Sequence, residues 1–249
     1  QILLRFGRHN PTHPHAWPFA DQPLVNGKFL GGEGARALTV ELSWLAPLPW
    51  YVELTGAVSE ARSECCSRSF LGEDGPVPNA ADDLLYTPRL EQFFPLGDDW
   101  SVLIGASGQF GPSGPATRSQ LLGADLYLRW RPADSPSRTA VSLQLEAMSR
   151  QREYDDTSHR DHGGTATLLW DLSPRWQVGA RHELVTGLKD DPLDPDWTDD
   201  RQRTTAQVTW MPSHFSRLRL QGSRSHPDGI TAVILVAAVL IGAHGEHTY

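Results

Sequence analysis

Along most of this chain apolar and polar residues alternate one by one, and the alternation holds over segments of about ten residues. In "LLGADLYLRWR", Leu122, Ala124, Leu126, Leu128 and Trp130 share one face, while Asp125, Tyr127, Arg129 and Arg131 share the other. "TVELSWLA", "YVELTGAVSEA", "WSVLIGASGQF", "VSLQLEAMSR" and "SRLRLQGS" behave the same way. Period two belongs to the β-strand, whose successive side chains point to opposite faces. The pattern predicts an all-β chain in which each strand has an apolar face and a charged face. No convincing amphipathic helix stands out.

About twelve such segments can be counted, roughly at 1–9, 37–47, 51–62, 84–95, 100–111, 120–132, 138–153, 163–173, 176–187, 201–212, 216–226 and 230–246. Every second connection is short and turn-like: "PLP", "PLGDD", "PADSPS", "SPR" and "PSHF". Most of the others, at 10–36, 63–83, 112–119, 154–162 and 188–200, are longer and more polar. Short turns at one end and long loops at the other are the layout of a transmembrane antiparallel up-and-down β-barrel. An even strand count places both termini at one rim. The expectation is therefore a single outer-membrane barrel domain over residues 1–249, in a bacterial outer membrane.

Aromatic placement agrees. Trp44, Trp50, Trp100, Trp130, Trp170, Trp176 and Trp210 lie beside the short turns, where a membrane interface holds amphipathic rings. A soluble sandwich would scatter its tryptophans through a core. The net charge of −8 excludes a general nucleic-acid binder. Cys65 and Cys66 are adjacent and form no disulfide framework. The apolar run Ile230–Ala243 is too short to cross a bilayer as a helix. Gln1 opens directly in a strand-like run, so the chain reads as processed or as part of something longer.

"FGRHNPTHPHAWPFADQPLV", "FSRLRLQ" and "GAHGEH" before a terminal aromatic resemble a family of Gram-negative outer-membrane proteins labelled zinc-regulated, TonB-dependent outer-membrane receptors. The resemblance runs from Arg5 to Tyr249 and implies the barrel and its location. Members of that family usually carry a further N-terminal part. The terminal Tyr249 after an alternating strand resembles the signal by which barrel-assembly machinery recognises the last strand. Energised transport is not carried over, because that machinery needs about 22 strands and a separate plug.

Functional candidates follow from the charged face. Arg5, Glu53, Asp125, Arg129, Arg150, Arg181, Arg217 and Arg219 are expected in the lumen, either as a filling lattice of ion pairs or as the wall of a narrow polar pore. His9, His13 and His15, with a second group His244, Glu246 and His247, are candidate zinc ligands. Asp190, Asp191, Asp194 and Asp196 suggest a calcium site, or a solvated loop bridged through divalent ions to lipopolysaccharide. The loop 10–36 carries too many large apolar groups to lie exposed. It is expected to fold into the barrel mouth with Trp17 and Phe19 as the constriction.

No serine is placed beside His162 or His182 by spacing and no GxSxG occurs, so an enzyme is not expected; an outer-membrane hydrolase is the weakest alternative. The leading expectation is a narrow channel or receptor for a small polar solute or metal ion. A structural barrel that binds an envelope partner without transport is the main alternative.

Overall fold

The alternating segments form strands of one antiparallel sheet. The structure, a computed structural model, describes residues 2–61, 84–114, 117–134, 137–154, 157–189, 191 and 194–239. Eleven strands follow each other as neighbours: β3 (Thr39–Leu45), β4 (Tyr51–Glu60), β5 (Leu84–Leu96), β6 (Trp100–Gly114), β7 (Thr117–Trp130), β8 (Ala140–Tyr154), β9 (Thr157–Ser173), β10 (Trp176–Val185), β11 (Arg201–Ser213), β12 (Ser216–His226) and β13 (Thr231–Val239). Each pairs antiparallel with the next, as short connections demand.

Three expectations change. Residues 1–9 were expected as the first strand of the sheet. Only Ile2–Leu3 (β1) is extended, and it pairs with Arg36–Ala37 (β2) in a separate two-stranded ribbon. Beyond it, Leu4 and Phe6 are fully buried against other apolar side chains, a burial that the open face of a twelfth strand would not provide. The eleven-stranded sheet is also open among the described residues: β3 pairs only with β4, and β13 only with β12. With an odd count, these two edges run in the same direction. Finally, 112–119 and 154–162 are not long loops. The β6–β7 and β8–β9 ladders continue to Gly114↔Thr117 and Tyr154↔Thr157, so these strands run 14 to 17 residues.

The two faces of the sheet are inverted relative to a water-soluble protein. Leu42, Leu54, Ile104, Leu122, Leu145, Leu168, Leu184, Leu220 and Leu235 are all exposed, Leu42 by 76%. Arg150, Asp161, Glu183, Glu146 and Arg219 on the opposite face are at most 3% exposed. Buried charges are tolerated when paired or hydrogen-bonded; Arg150, Asp161 and Glu183 are ion-paired, and Glu146 and Arg219 are hydrogen-bonded.

The chain before β3 lies on that charged face. Besides β1 and β2, it holds a single 3-10 turn (Pro14–Ala16) and a short helix α1 (Leu24–Leu30). Pro23 caps α1, and Gly31 at φ 87° ends it. Leu4, Phe6, Val25, Phe29, Leu30 and Ala35 pack with Ala61, Leu85, Leu121, Met148 and Val185. Ala61, Leu85 and Val185 sit at the long-loop ends of their strands, so this apolar cluster caps one end of the charged face.

Candidate functional site

The site is the charged face together with the segment 2–37 that fills it. Arg5 reaches Glu41 on β3 at 3.3 Å and Glu53 on β4 at 3.0 Å. Ten residues later the carbonyl of His15 accepts from Arg217 on β12, and that of Trp17 accepts from Arg219 at 3.1 Å. In a flat sheet β4 and β12 would stand about 38 Å apart, at about 4.8 Å per strand. A turned segment of a dozen residues does not span that distance, so the sheet is curled around it.

Between those ends the segment is fastened strand by strand. The Gly7 amide donates to Ser107 at 3.1 Å, and the Arg8 and His9 amides donate to Glu146 at 3.1 and 2.7 Å. Asn10 donates to the carbonyls of Leu4 and Ala35 and accepts from the Ala35 amide, which closes the turn onto β2. The Asp21 carboxylate lies 2.9 Å from Arg181 and 2.7 Å from Arg203, and accepts from Gln221 at 2.5 Å. Glu183 pairs with Arg181 at 3.0 Å and Arg203 at 2.7 Å, and accepts from the Leu24 amide at 2.6 Å. Lys28 on α1 reaches Asp161 at 2.8 Å and donates to the Thr186 carbonyl.

Burial lowers the Lys28 pKa below the ordinary lysine value, and the Asp161 carboxylate works against that drop. His9 is neutral. Burial, with Arg181 adding to it, pulls its pKa down to about 3. Its ring lies 4.8 Å from that of Trp17, and its Nε2 has no hydrogen-bond partner.

The expected lumen residues all lie on this face or on the segment covering it. Asp125 holds Arg89 at 2.7 Å, and Arg150 holds Asp161 at 2.5 Å; Arg129 is half-buried. Phe19 is buried under the Arg181 guanidinium, 4.6 Å from its ring centre, while Trp17 is only half-buried.

Two expected metal groups are not assembled. His13 and His15 stack at 5.6 Å, but His9 is turned away onto Trp17. Among the described residues no three His, Cys, Asp or Glu side chains could hold a metal ion. Of the aspartate loop, two carboxylates are turned inward rather than solvated. Asp191 and Asp194 are buried, engaged by Arg152 and by Arg150 at 3.1 Å. Two arginines on β8 supply the positive charge that a calcium ion would otherwise bring. Asp196 is exposed; Asp190, Cys65, Cys66, His244, Glu246, His247 and Tyr249 lie outside the described residues.

Sequence reasoning missed Glu146, Glu183, Asp161, Asp21 and Lys28 as the fastenings of the segment. It also missed two glycines. A Cβ on Gly123 would stand 2.8 Å from Phe6, and one on Gly163 would stand 2.8–3.0 Å from Val185, Phe29 and Val25. Glycine inside a strand marks a place where another part of the chain approaches closely, and both lie at inward positions.

No family model matches the chain, and no solved structure matches it. It is similar to an uncharacterized protein of Aquifex aeolicus, at 30% identity over 276 aligned residues, which cover 98% of this chain and 58% of that protein. The chain thus spans little more than half of that relative's length.

Proposed function

We propose that this chain is an outer-membrane β-barrel closed by its own N-terminal segment. It would act as a gated narrow path or receptor for a small polar solute. The observation that carries the reading is the reversed polarity of the curled sheet, apolar where it is exposed and charged where it is buried. Trp100↔Trp130 and Trp176↔Trp210 face each other across strand pairs at the short turns, with ring centres 6.3 and 6.2 Å apart. From Trp130 to Leu122 the exposed side of β7 is apolar, about 21 Å at the usual strand rise and tilt, close to a bilayer's apolar band. A filled lumen suits a resting, closed state.

Planar-bilayer recording tests this. The wild type should show small, rare openings. Asp21→Asn, which loosens the segment from β10, β11 and β12, should open it more often. A silent Asp21→Asn protein that is inserted and folded would end the transport reading.

A structural barrel for an envelope assembly is the second reading. The apolar cluster around Phe6 and Phe29 favours it, because it packs segment 2–37 against the long-loop end of the charged face.

A further inference from the structure

The exposed face changes character above Leu122. At the ends of β7, β8 and β9 away from the tryptophan turns, the outward positions are Arg118, Gln120, Gln151, Glu153 and Arg160 rather than leucines. A cleft of about 430 Å³ opens there, with Tyr86 and Phe110 at its apolar side and Arg118, Gln120, Gln151 and Glu153 at its polar side. Tyr86 is 50% and Phe110 38% exposed. The Gln120, Gln151 and Arg160 side chains are linked: Arg160 donates to Gln151 Oε1 at 2.7 Å, and Gln120 donates to the same oxygen at 3.3 Å. Glu153 accepts from the Arg118 amide at 3.3 Å.

We propose that this cleft binds the phosphorylated headgroup of an outer-leaflet glycolipid. The inference rests on the outer-membrane reading and adds a specific lipid site to it. Arg118 lines the cleft and Arg160 adjoins it through Gln151, while the Glu153 carboxylate is engaged by the Arg118 amide. Guanidinium groups recognise phosphate through paired, charge-assisted hydrogen bonds. Arg160 meets a neutral amide, so its charge is not cancelled by the group it touches. The Gln120 and Gln151 amides suit sugar hydroxyls, and Tyr86 and Phe110 offer a surface for sugar rings. Below them Leu122 and Leu145 continue the exposed apolar face where acyl chains would lie. The cleft sits where polar side chains replace apolar ones, the depth at which such a headgroup lies.

The test is native mass spectrometry of the detergent-purified protein with bisphosphorylated lipid A, dephosphorylated lipid A and inorganic phosphate as probes. Bisphosphorylated lipid A should bind, and the other two should not. The R118A/R160A double variant should lose about tenfold in lipid A affinity, whereas Arg224→Ala, an outward arginine on β12, should lose nothing. Equal binding by wild type and double variant would overturn the proposal, as would an equal loss from Arg224→Ala, which would mark diffuse attraction rather than a site. Heat-modifiable gel mobility of the double variant separates site loss from misfolding. If that variant misfolds, the charge-keeping R118K/R160K variant replaces it, and unchanged affinity there overturns bidentate phosphate recognition. A chain that stays soluble and monomeric without detergent would instead refute the membrane reading itself.

Discussion

The Asp21 carboxylate meets the Arg181 guanidinium at 2.9 Å across 160 residues of chain. The same carboxylate serves Arg203 and Gln221, so one side chain ties the segment to β10, β11 and β12. Asp21→Asn keeps the shape and removes the charge. Charge-assisted contacts of this kind contribute about 2 kcal/mol. Hydrogen exchange at the α1 amides should speed up by about thirtyfold while the β7–β8 ladder stays protected. Unchanged exchange in α1 would show that Asp21 does not hold the segment.

Phe29 is fully buried between α1 and the sheet, 5.1 Å from the Arg150 guanidinium. Phe29→Ala should cost about 3–5 kcal/mol, read as a lower thermal transition of the folded protein. Gly163→Ala should act in the same direction from the strand side, because its methyl group would press on Phe29, Val25 and Val185. It should cost about 1–3 kcal/mol. A neutral Gly163→Ala would mean that α1 does not dock on β9.

Acid should loosen the segment through His9. Its folded pKa of about 3 lies below the ordinary 6.5, so between those values the unfolded chain binds the extra proton. Stability is therefore complete above pH 6.5 and is lost as pH falls toward 3. Thermal transitions followed from pH 7 to 5 should fall in the wild type, and the fall should shrink in His9→Phe. Parallel slopes for the two proteins would remove His9 from the acid response.

Strand existence was legible because burial on one face and exposure on the other leave a mark at every second residue. The aromatic rim was legible for the same reason: Trp100, Trp130, Trp176 and Trp210 all sit next to turns marked by Pro, Gly or Ser-Pro. The packing of 2–37 was legible only as an excess of apolar residues in a loop. Its partners were not, since nothing local to Asp21 or Lys28 announces Arg181 or Asp161. Asp191 and Asp194 show the same limit from the other side. Carboxylates crowded in a loop read as a cation site, and here the cations are arginines carried by a strand about forty residues earlier.

Tryptophan fluorescence can check the placement of the rim. In bilayers containing brominated lipid, Trp100, Trp130, Trp176 and Trp210 should be quenched strongly by bromines near the headgroups and weakly by bromines at the acyl-chain ends. Trp17, held inside by its hydrogen bond to the Thr12 carbonyl at 2.8 Å, should escape both. Strong mid-chain quenching of the rim tryptophans would remove the interface assignment.

The fastening of 2–37 to strands 100 to 200 residues away gives the chain two very different kinds of contact. Every pairing in the eleven-stranded sheet joins sequence neighbours, so hairpin can be added to hairpin with little loop entropy lost at each step. Segment 2–37 is synthesised before the sheet, yet its contacts with Arg217, Arg219 and Gln221 cannot form until β12 exists. Maturation is therefore a race with a fixed finishing order. The segment waits unsatisfied while the sheet assembles, and its docking records that β10, β11 and β12 have arrived.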